Sequence, residues 1–186
     1  MRIISGHKRG LKLTPLGSGD ETARLRPTTD RVRESLFNIL QNGTYGDVVT
    51  GARVLDLFAG TGALGLEAFS RGAEFVQFVE NGKTSLHILQ KNIAMFDAPE
   101  LLHVLKNDAR FLRQNRAEPF TLLFLDPPYG TELGKQALHN AAQRGFIAKG
   151  ALVAFENNNP LTALDHFEEI DERHFGKTVF SFLVFK

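Results

Sequence analysis

The chain has 186 residues, the usual length of one domain, and folding at that length buries roughly 70% of the unfolded chain's surface. Its apolar fraction of 42% and charged fraction of 23% exclude intrinsic disorder as the main state. Because the chain has no cysteine, disulfide frameworks, thiolate metal sites and cysteine nucleophiles are excluded.

Charge is unevenly distributed along the chain. The net charge is +1, but residues 1–33 hold eight Lys or Arg against three acids, which gives +5 there and −4 over the remainder. Such a basic end is typical of a protein that meets a polyanion, although a solvated basic face looks the same in sequence. The N-terminus lacks the apolar stretch of a secretion signal and no segment is long enough to span a bilayer, so we expect a cytoplasmic protein.

The first 45 residues are predicted to form an extension ahead of the main fold. Residues 2–16 contain two short apolar runs around a basic segment, which is typical of a hairpin, and residues 17–20 follow as a loop. Thr28 or Thr29 is placed to cap a helix whose apolar positions have helical spacing and which ends before Asn42.

The rest of the chain alternates strand and helix. Strands are predicted at 53–58, 75–80, 101–105, 121–126 and 151–156, with helices at 63–70, 83–95, 110–115 and 132–144. This order indicates an α/β fold with a mostly parallel sheet covered on both faces. Two extended runs, 167–175 and 178–185, predict a terminal antiparallel hairpin at the sheet edge. We expect a single domain over 1–186, with a basic extension (1–45) and a core (46–186).

A glycine-rich loop follows the first predicted strand. The pattern Gly60-x-Gly62-x-x-Gly65 lies between a strand end and a helix start, where glycines allow a tight turn and the helix N-terminus offers free N–H groups. Glu80 ends the next strand, where a carboxylate can accept both hydroxyls of a ribose. A nucleoside-containing ligand is indicated, and nicotinamide cofactors and S-adenosylmethionine both fit.

Two further carboxylates favour S-adenosylmethionine. Asp56 lies where a pyrophosphate needs donors and no negative charge, so a cofactor with a sulfonium and an ammonium group suits it better. Asp108 follows the third strand, where it can accept the amino group of adenine, cap the following helix, or do both.

The segment Asp126-Pro127-Pro128-Tyr129 follows a buried apolar strand. Each proline fixes its own φ and holds the preceding residue extended, so the segment is a stiff turn at the carboxyl edge of the sheet. The Asp126 carboxylate and Pro127 carbonyl offer two acceptors to a planar amine, and Tyr129 offers a face on which a base can stack. In isolation the segment is equally compatible with a rigid strand exit; its setting favours methylation of a nucleobase amine by positioning.

With these residues identified, the sequence resembles the class I S-adenosylmethionine-dependent methyltransferases, and most of all the ribosomal RNA small-subunit methyltransferase D family. The resemblance rests on residues 2–6, 9–10, 26–38, 54–62 and 126–129. The segment 26–38 is the most specific to that family. One departure is at Asn81-Gly82, where the family more often has another polar or acidic residue before a helix.

The resemblance implies a Rossmann-like fold with seven strands, the last antiparallel, and helices on both faces. It implies methyl transfer from S-adenosylmethionine to the N2 amine of one guanine in 16S rRNA. The cofactor would contact Asp56, Phe58, Ala59, Gly60, Gly62, Glu80, Asn81, Asp108 and Ala109. Asp126, Pro127, Pro128 and Tyr129 would hold the flipped base. No metal is expected.

Five basic side chains are candidates for phosphate contacts: Lys8, Arg9, Arg26, Arg31 and Arg33. The alternative is a solvated surface, with Asp30 and Glu34 as local ion-pair partners on the helix. Little chain remains for a separate base-reading region, so we expect the substrate to be 16S rRNA within a partly assembled small subunit. The oligomeric state is not determined by the sequence, and a monomer is favoured.

Other functions stay open at this point. The Asp-Pro-Pro-Tyr segment does not separate guanine N2 from adenine N6 in RNA or DNA, or from cytosine N4. A nicotinamide oxidoreductase would share the glycine loop but leaves that segment without a role. A noncatalytic ribosome assembly factor would account for the basic residues alone.

Overall fold

The computed structural model describes residues 1–15, 29–128, 131–157 and 164–186. Four α-helices are present in these ranges: α1 (Asp30–Asn42), α2 (Ala63–Ser70), α3 (Lys83–Ala94) and α4 (Leu133–Gln143). The strands are β1 (Arg53–Leu57), β2 (Phe75–Glu80), β3 (Leu102–Lys106), β4 (Phe120–Leu125), β5 (Ile147–Asn157), β6 (Phe167–Phe175) and β7 (Thr178–Phe185).

The strands form one seven-stranded sheet in the order β3-β2-β1-β4-β5-β7-β6. The first five are parallel, and β7 pairs antiparallel with both β5 and β6. The α/β fold with an antiparallel C-terminal strand is therefore confirmed. The order reverses between β1 and β4, and open sheets of this kind bind ligands in the crevice at such a switch point.

Two apolar layers cover the sheet. Alternate residues of each strand point to opposite faces. Val54 of β1 packs with Leu36 and Phe37 of α1, whereas Leu55 and Leu57 pack with α4. The face with α1, α2 and α3 is called the α1 face below, and the opposite face the α4 face.

Three predicted elements differ from the observed ones. The N-terminal hairpin has a single antiparallel bridge between Arg2 and Lys12 instead of two strands. β5 begins at Ile147, four residues earlier than predicted, with a register shift in its pairing to β4. The helix predicted at 110–115 is a single 3-10 turn, Ala109–Phe111, followed by an extended polar segment. None of the described helices is long and apolar enough to cross a bilayer.

Candidate cofactor and substrate site

The carboxyl ends of four adjacent strands bring the predicted site residues to one edge of the sheet. Leu57 is in register with Val79 of β2 and Leu125 of β4, so Phe58, Glu80 and Asp126 are the next residues along this edge. Glu80 is in register with Lys106, two residues before Asp108. Strands are about 4.8 Å apart, so the groups form a row in the order Asp108, Glu80, Phe58, Asp126.

The glycine loop between β1 and α2 has the conformation expected from its sequence. Gly60 and Gly62 have φ values of 57° and 81°, which glycine adopts without strain. Phe58 also has a positive φ, 64°, which is uncommon for a residue with a Cβ and marks stored strain. The loop is closed by a 2.7 Å hydrogen bond from the Gly62 N–H to the Ala59 carbonyl. Gly62 is the N-cap of α2, which begins at Ala63.

Glu80 is held in one orientation by backbone groups. Its Oε2 accepts from the Gly60 N–H at 2.8 Å, and its Oε1 accepts from the Asn81 and Gly82 N–H groups at 2.9 and 2.7 Å. A carboxylate can accept about four hydrogen bonds, so capacity for a ligand hydroxyl is left. The departure at Asn81-Gly82 thus supplies two backbone donors to the predicted ribose carboxylate.

Asp56 is a buried carboxyl group beneath the loop. It is 2% exposed, and its Oδ2 accepts a 3.0 Å hydrogen bond from the Gly65 N–H in the first turn of α2. Burial raises its pKa to about 7, with a smaller contribution from the negative charge of Glu80. Among the described residues no cationic side chain forms an ion pair with it. A cationic ligand group would therefore favour its ionised form.

Asp108 caps the 3-10 turn, and its side chain accepts from the Arg110 N–H at 2.9 Å. The Arg110 guanidinium also binds it, with Nη2 to Oδ2 at 2.6 Å, and hydrogen bonding to Arg110 lowers the pKa of Asp108. Ala109 is buried directly after it. The capping role is thus observed, and the adenine contact stays a prediction.

The segment after β4 lies at the other end of the row. Asp126 is partly buried, and Pro127 is buried against α4, where a Cβ on Gly134 would be 2.8 Å from the Pro127 ring. The Pro128 carbonyl accepts a 2.7 Å hydrogen bond from the Thr131 hydroxyl. These contacts make the turn rigid. Tyr129 lies outside the described residues.

Comparison with known proteins now identifies the family. A family model described as Conserved hypothetical protein 95 matches residues 1–184. Ribosomal RNA small subunit methyltransferase D of Escherichia coli is 40% identical over 157 residues, which cover 84% of this chain and 74% of that protein. The protein of that name in Haemophilus influenzae is 36% identical over 181 residues, which cover 95% of this chain and 89% of that protein.

The chain belongs to the ribosomal RNA small subunit methyltransferase D family.

A solved structure agrees with this assignment. The Escherichia coli protein yhhF, assigned as a methyltransferase, superimposes with a TM-score of 0.83 at 35% identity, over 100% of this chain and 98% of that one. The Rossmann-like class I fold expected for the methyltransferase D family is therefore confirmed. Among the described residues no group of three or more His, Cys, Asp or Glu could hold a metal ion.

Three of the basic residues predicted to contact RNA reach the surface: Lys8, Arg9 and Arg31. Arg9 and Arg31 are exposed, and Arg31 lines a cavity of about 470 Å³ between α1 and the β6–β7 turn. Lys8 is partly buried, with its Nζ 3.8 Å from an Asp97 carboxylate oxygen. Phosphate contact by these residues stays a prediction, and Arg26 lies outside the described residues.

The phosphate contact predicted for Arg33 is wrong. The side chain is 0% exposed, so its guanidinium cannot reach a phosphate. It instead donates to the Arg2 carbonyl, lies 3.0 Å from Asp30 and lies 3.6 Å from Glu67. Arg33 thus ties α1 to the N-terminal segment and to α2.

Glu67 of α2 is a structural residue that the sequence reasoning missed. It is 0% exposed and accepts from the Ile4 and Ser5 N–H groups at 2.8 and 3.1 Å. It also accepts from Arg71 Nε at 2.7 Å. With Arg33 it forms a buried network that fixes the N-terminal segment to the core. The available signal was a single acid in an otherwise apolar helix.

Asn92 of α3 links the same segment to the glycine loop. Its Oδ1 accepts from the Thr14 N–H at 2.8 Å, and its Nδ2 donates to the Thr61 carbonyl at 2.9 Å. The signal was its spacing, because Asn92 continues the buried positions Ser85, Ile88 and Leu89 of α3. The extension and the loop therefore form one rigid unit at this point.

Proposed function

We infer that this chain is an rRNA methyltransferase that transfers a methyl group from S-adenosylmethionine to the N2 amine of a guanine in 16S rRNA. The observation that carries this proposal is the row of groups on four adjacent strands, with Asp108, Glu80 and the glycine loop at one end and Asp126 at the other. The relatives named ribosomal RNA small subunit methyltransferase D supply the RNA class.

The residues present fit S-adenosylmethionine. Glu80, already oriented by three backbone N–H groups, would accept from the ribose hydroxyls. Asp108 and Ala109 would lie beside the adenine, and Phe58, Ala59, Gly60 and Gly62 would follow the ligand closely as backbone. Asp56 would offset the cationic amino acid end, since it is buried and none of the described residues supplies a cation paired to it. Bound S-adenosylmethionine would supply the methyl group of its sulfonium, and the rest of the cofactor would leave as a thioether.

The substrate end would work by orienting a poor nucleophile. The lone pair of a guanine N2 amine is delocalised into the ring, so hydrogen bonds to two acceptors are needed to make it available. Asp126 and the carbonyl of Pro127 would accept those two bonds, and Tyr129 would stack on the base. As the bond from nitrogen to the methyl carbon forms and the thioether leaves, the amine would release one proton to solvent by way of the Asp126 carboxylate. The rigidity supplied by Gly134 and Thr131 supports this role, because misplacement of the acceptors would cost rate.

The proposed substrate is 16S rRNA within an assembling small subunit, which would place the activity in the cytoplasm. Residues 1–45 would serve as the RNA-facing extension, with Lys8, Arg9, Arg26 and Arg31 near phosphates. We propose no RNA role for Arg33.

The test is transfer of labelled methyl from S-adenosylmethionine to small subunits from cells that lack this gene, followed by nucleoside digestion and chromatography. We expect the label in N2-methylguanosine. Asp126→Ala should lose at least about 100-fold in rate while cofactor and RNA binding are kept, since positioning groups contribute on that order. Label in a methylated adenosine or cytidine would overturn the guanine assignment. A noncatalytic assembly factor would show no labelled nucleoside at all.

A further inference from the structure

The connection between β3 and β4 leaves part of the α4 face without a helix. Only the 3-10 turn Ala109–Phe111 and an extended segment follow β3, whereas the other parallel connections of the described chain contain an α-helix. As a result, His103 on this face is exposed and Gln77 is partly exposed. A groove of about 700 Å³ lies here between β2, β3 and residues 113–117.

The lining of this groove is basic and contains no carboxylate among the described residues. Lys106, Arg113 and Arg116 line it, all three are exposed, and none forms an ion pair with a described residue. The two acids nearest to them in sequence are paired with other residues, Glu118 with Arg53 at 3.8 Å and Asp108 with Arg110 at 2.6 Å. Three cations with no ion-pair partner among the described residues create a positive potential along the groove.

The wall that carries these arginines is preformed. Asn115 donates its N–H to the Arg144 carbonyl at 2.9 Å and its Nδ2 to the Gly145 carbonyl at 3.0 Å. Gln114 Nε2 donates to the Arg144 carbonyl at 3.2 Å, and the Leu112 N–H donates to Asn140 at 2.8 Å. The segment is thus fixed to α4 and to the turn before β5, so binding in the groove requires little ordering of this wall.

An exposed aromatic ring, that of Phe111, lies in the chain between the groove-lining residues Asn107 and Arg113. Phe111 is 66% exposed, and the Arg110 guanidinium lies 5.1 Å from its ring centroid. Asn107, which lines the groove, donates to the Phe111 carbonyl at 3.0 Å. An open ring beside a row of cations suits a single-stranded nucleic acid, because the ring can stack on a base while the cations contact phosphates.

We propose that this groove, together with Phe111, binds the phosphodiester backbone and one base of the substrate RNA. The inference rests on the proposed RNA methylation and extends it to a second RNA contact. The N-terminal segment packs on the α1 face through Ile3 and Leu13, whereas the groove lies on the α4 face. The RNA therefore contacts both faces of the sheet and crosses the carboxyl edge between them, where Asp126 lies.

The test compares two double variants with equal charge change, Arg113→Ala/Arg116→Ala and the control Lys91→Ala/Lys149→Ala. Binding of deproteinised 16S rRNA is measured between 50 and 200 mM salt, beside S-adenosylmethionine affinity. The groove variant should bind RNA at least about tenfold more weakly at low salt and lower the log–log salt slope by about 1.5, as two lost phosphate contacts require. Phe111→Ala should weaken RNA binding about fivefold or more without changing that slope.

The control pair should retain near wild-type RNA affinity, and all variants should keep wild-type cofactor affinity. The proposal is overturned if the groove variant binds both deproteinised 16S rRNA and small subunits from cells that lack this gene like the control. A defect confined to the subunits, with an unchanged salt slope, would also overturn it, because the lost contact would then be to a ribosomal protein. Methyl transfer by the wild type distinguishes failure of the groove proposal from failure of the proposed function. Intact transfer with an unaffected groove variant rejects the groove alone, whereas no transfer to any RNA rejects the proposed function.

Discussion

Two buried carboxylates near α2 have opposite surroundings. Glu67, inside the helix, has two backbone N–H donors and lies within 4 Å of two guanidinium groups, those of Arg33 and Arg71. Asp56, below the start of the helix, accepts a hydrogen bond from the Gly65 N–H and is paired with no cation among the described residues. The pKa of Asp56 is raised to about 7 by burial.

The difference separates a structural carboxylate from one available to a ligand. A buried charge is tolerated when it is paired and hydrogen-bonded, as Glu67 is, and its role is to fix the N-terminal segment on the core. A buried carboxyl group without a cation costs stability, and such groups are concentrated at functional sites. We propose that the cation that Asp56 lacks among the described residues is supplied by the charged end of S-adenosylmethionine.

The largest effect is expected from Glu67→Gln. The substitution removes the charge that Arg33 and Arg71 share. Arg71 is left with no carboxylate among the described residues, and Arg33 is left with Asp30 alone. Breaking a buried pair in this way costs about 3–5 kcal/mol, so the free energy of unfolding in urea should fall by that amount. The exposed Glu74→Gln is the matched control and should change it by less than about 0.5 kcal/mol. Equal free energies of unfolding for the two variants would show that Glu67 does not stabilise the fold.

Asp56→Asn should weaken the binding of the ligand. The amide keeps the shape and can still accept from the Gly65 N–H, but it carries no charge for a cationic group. We expect S-adenosylmethionine affinity to fall about 30- to 100-fold, in line with the loss of a hydrogen-bonded buried charge. Asp165→Asn, at an exposed position, is the control in the same calorimetric titration. Unchanged affinity in Asp56→Asn would place the cation elsewhere.

An effect of opposite sign is expected on the stability of Asp56→Asn without ligand. The folded chain keeps the Asp56 proton up to about pH 7, whereas the unfolded chain releases it near pH 4, so the group's contribution to stability is lost as pH rises between these values. The variant has no carboxyl group at this position and therefore does not lose this stability. The urea midpoint of the variant, relative to that of the wild type, should increase from pH 4 to 7 and stay constant above pH 7. A constant difference across this range would mean that Asp56 ionises normally in the folded chain.

Much of the fold could be predicted because its signals are local. β6 and β7 have the predicted bounds, 167–175 and 178–185, since two extended runs flank a Gly-Lys turn. α2 also begins and ends as predicted. The β3–β4 connection could not be predicted, because its turn is stabilised by distant groups such as Asn140 and the Arg144 carbonyl.

The site was predictable where a residue's role follows from its place at a strand end, as for Glu80. Arg33 shows the opposite case. It belongs to the buried stripe of α1 with Leu36, Phe37 and Leu40, at spacings of three, four and seven residues. That periodicity was present in the sequence, but the guanidinium indicated a solvent-exposed role. Its buried partner, Glu67, is 34 residues away and only the fold brings them together.

Asp56 is the residue on which the proposed cofactor site depends most, as a buried carboxyl group held for a cationic ligand group. The most direct test is calorimetric titration of the wild-type protein with S-adenosylmethionine between pH 5.5 and 7, in buffers with different ionisation enthalpies. Affinity should rise about tenfold over this range, and about half a proton should be released on binding at pH 7, because the ligand favours the ionised form of a group with a pKa of about 7. Affinity that does not change with pH, with no proton released, would contradict the account.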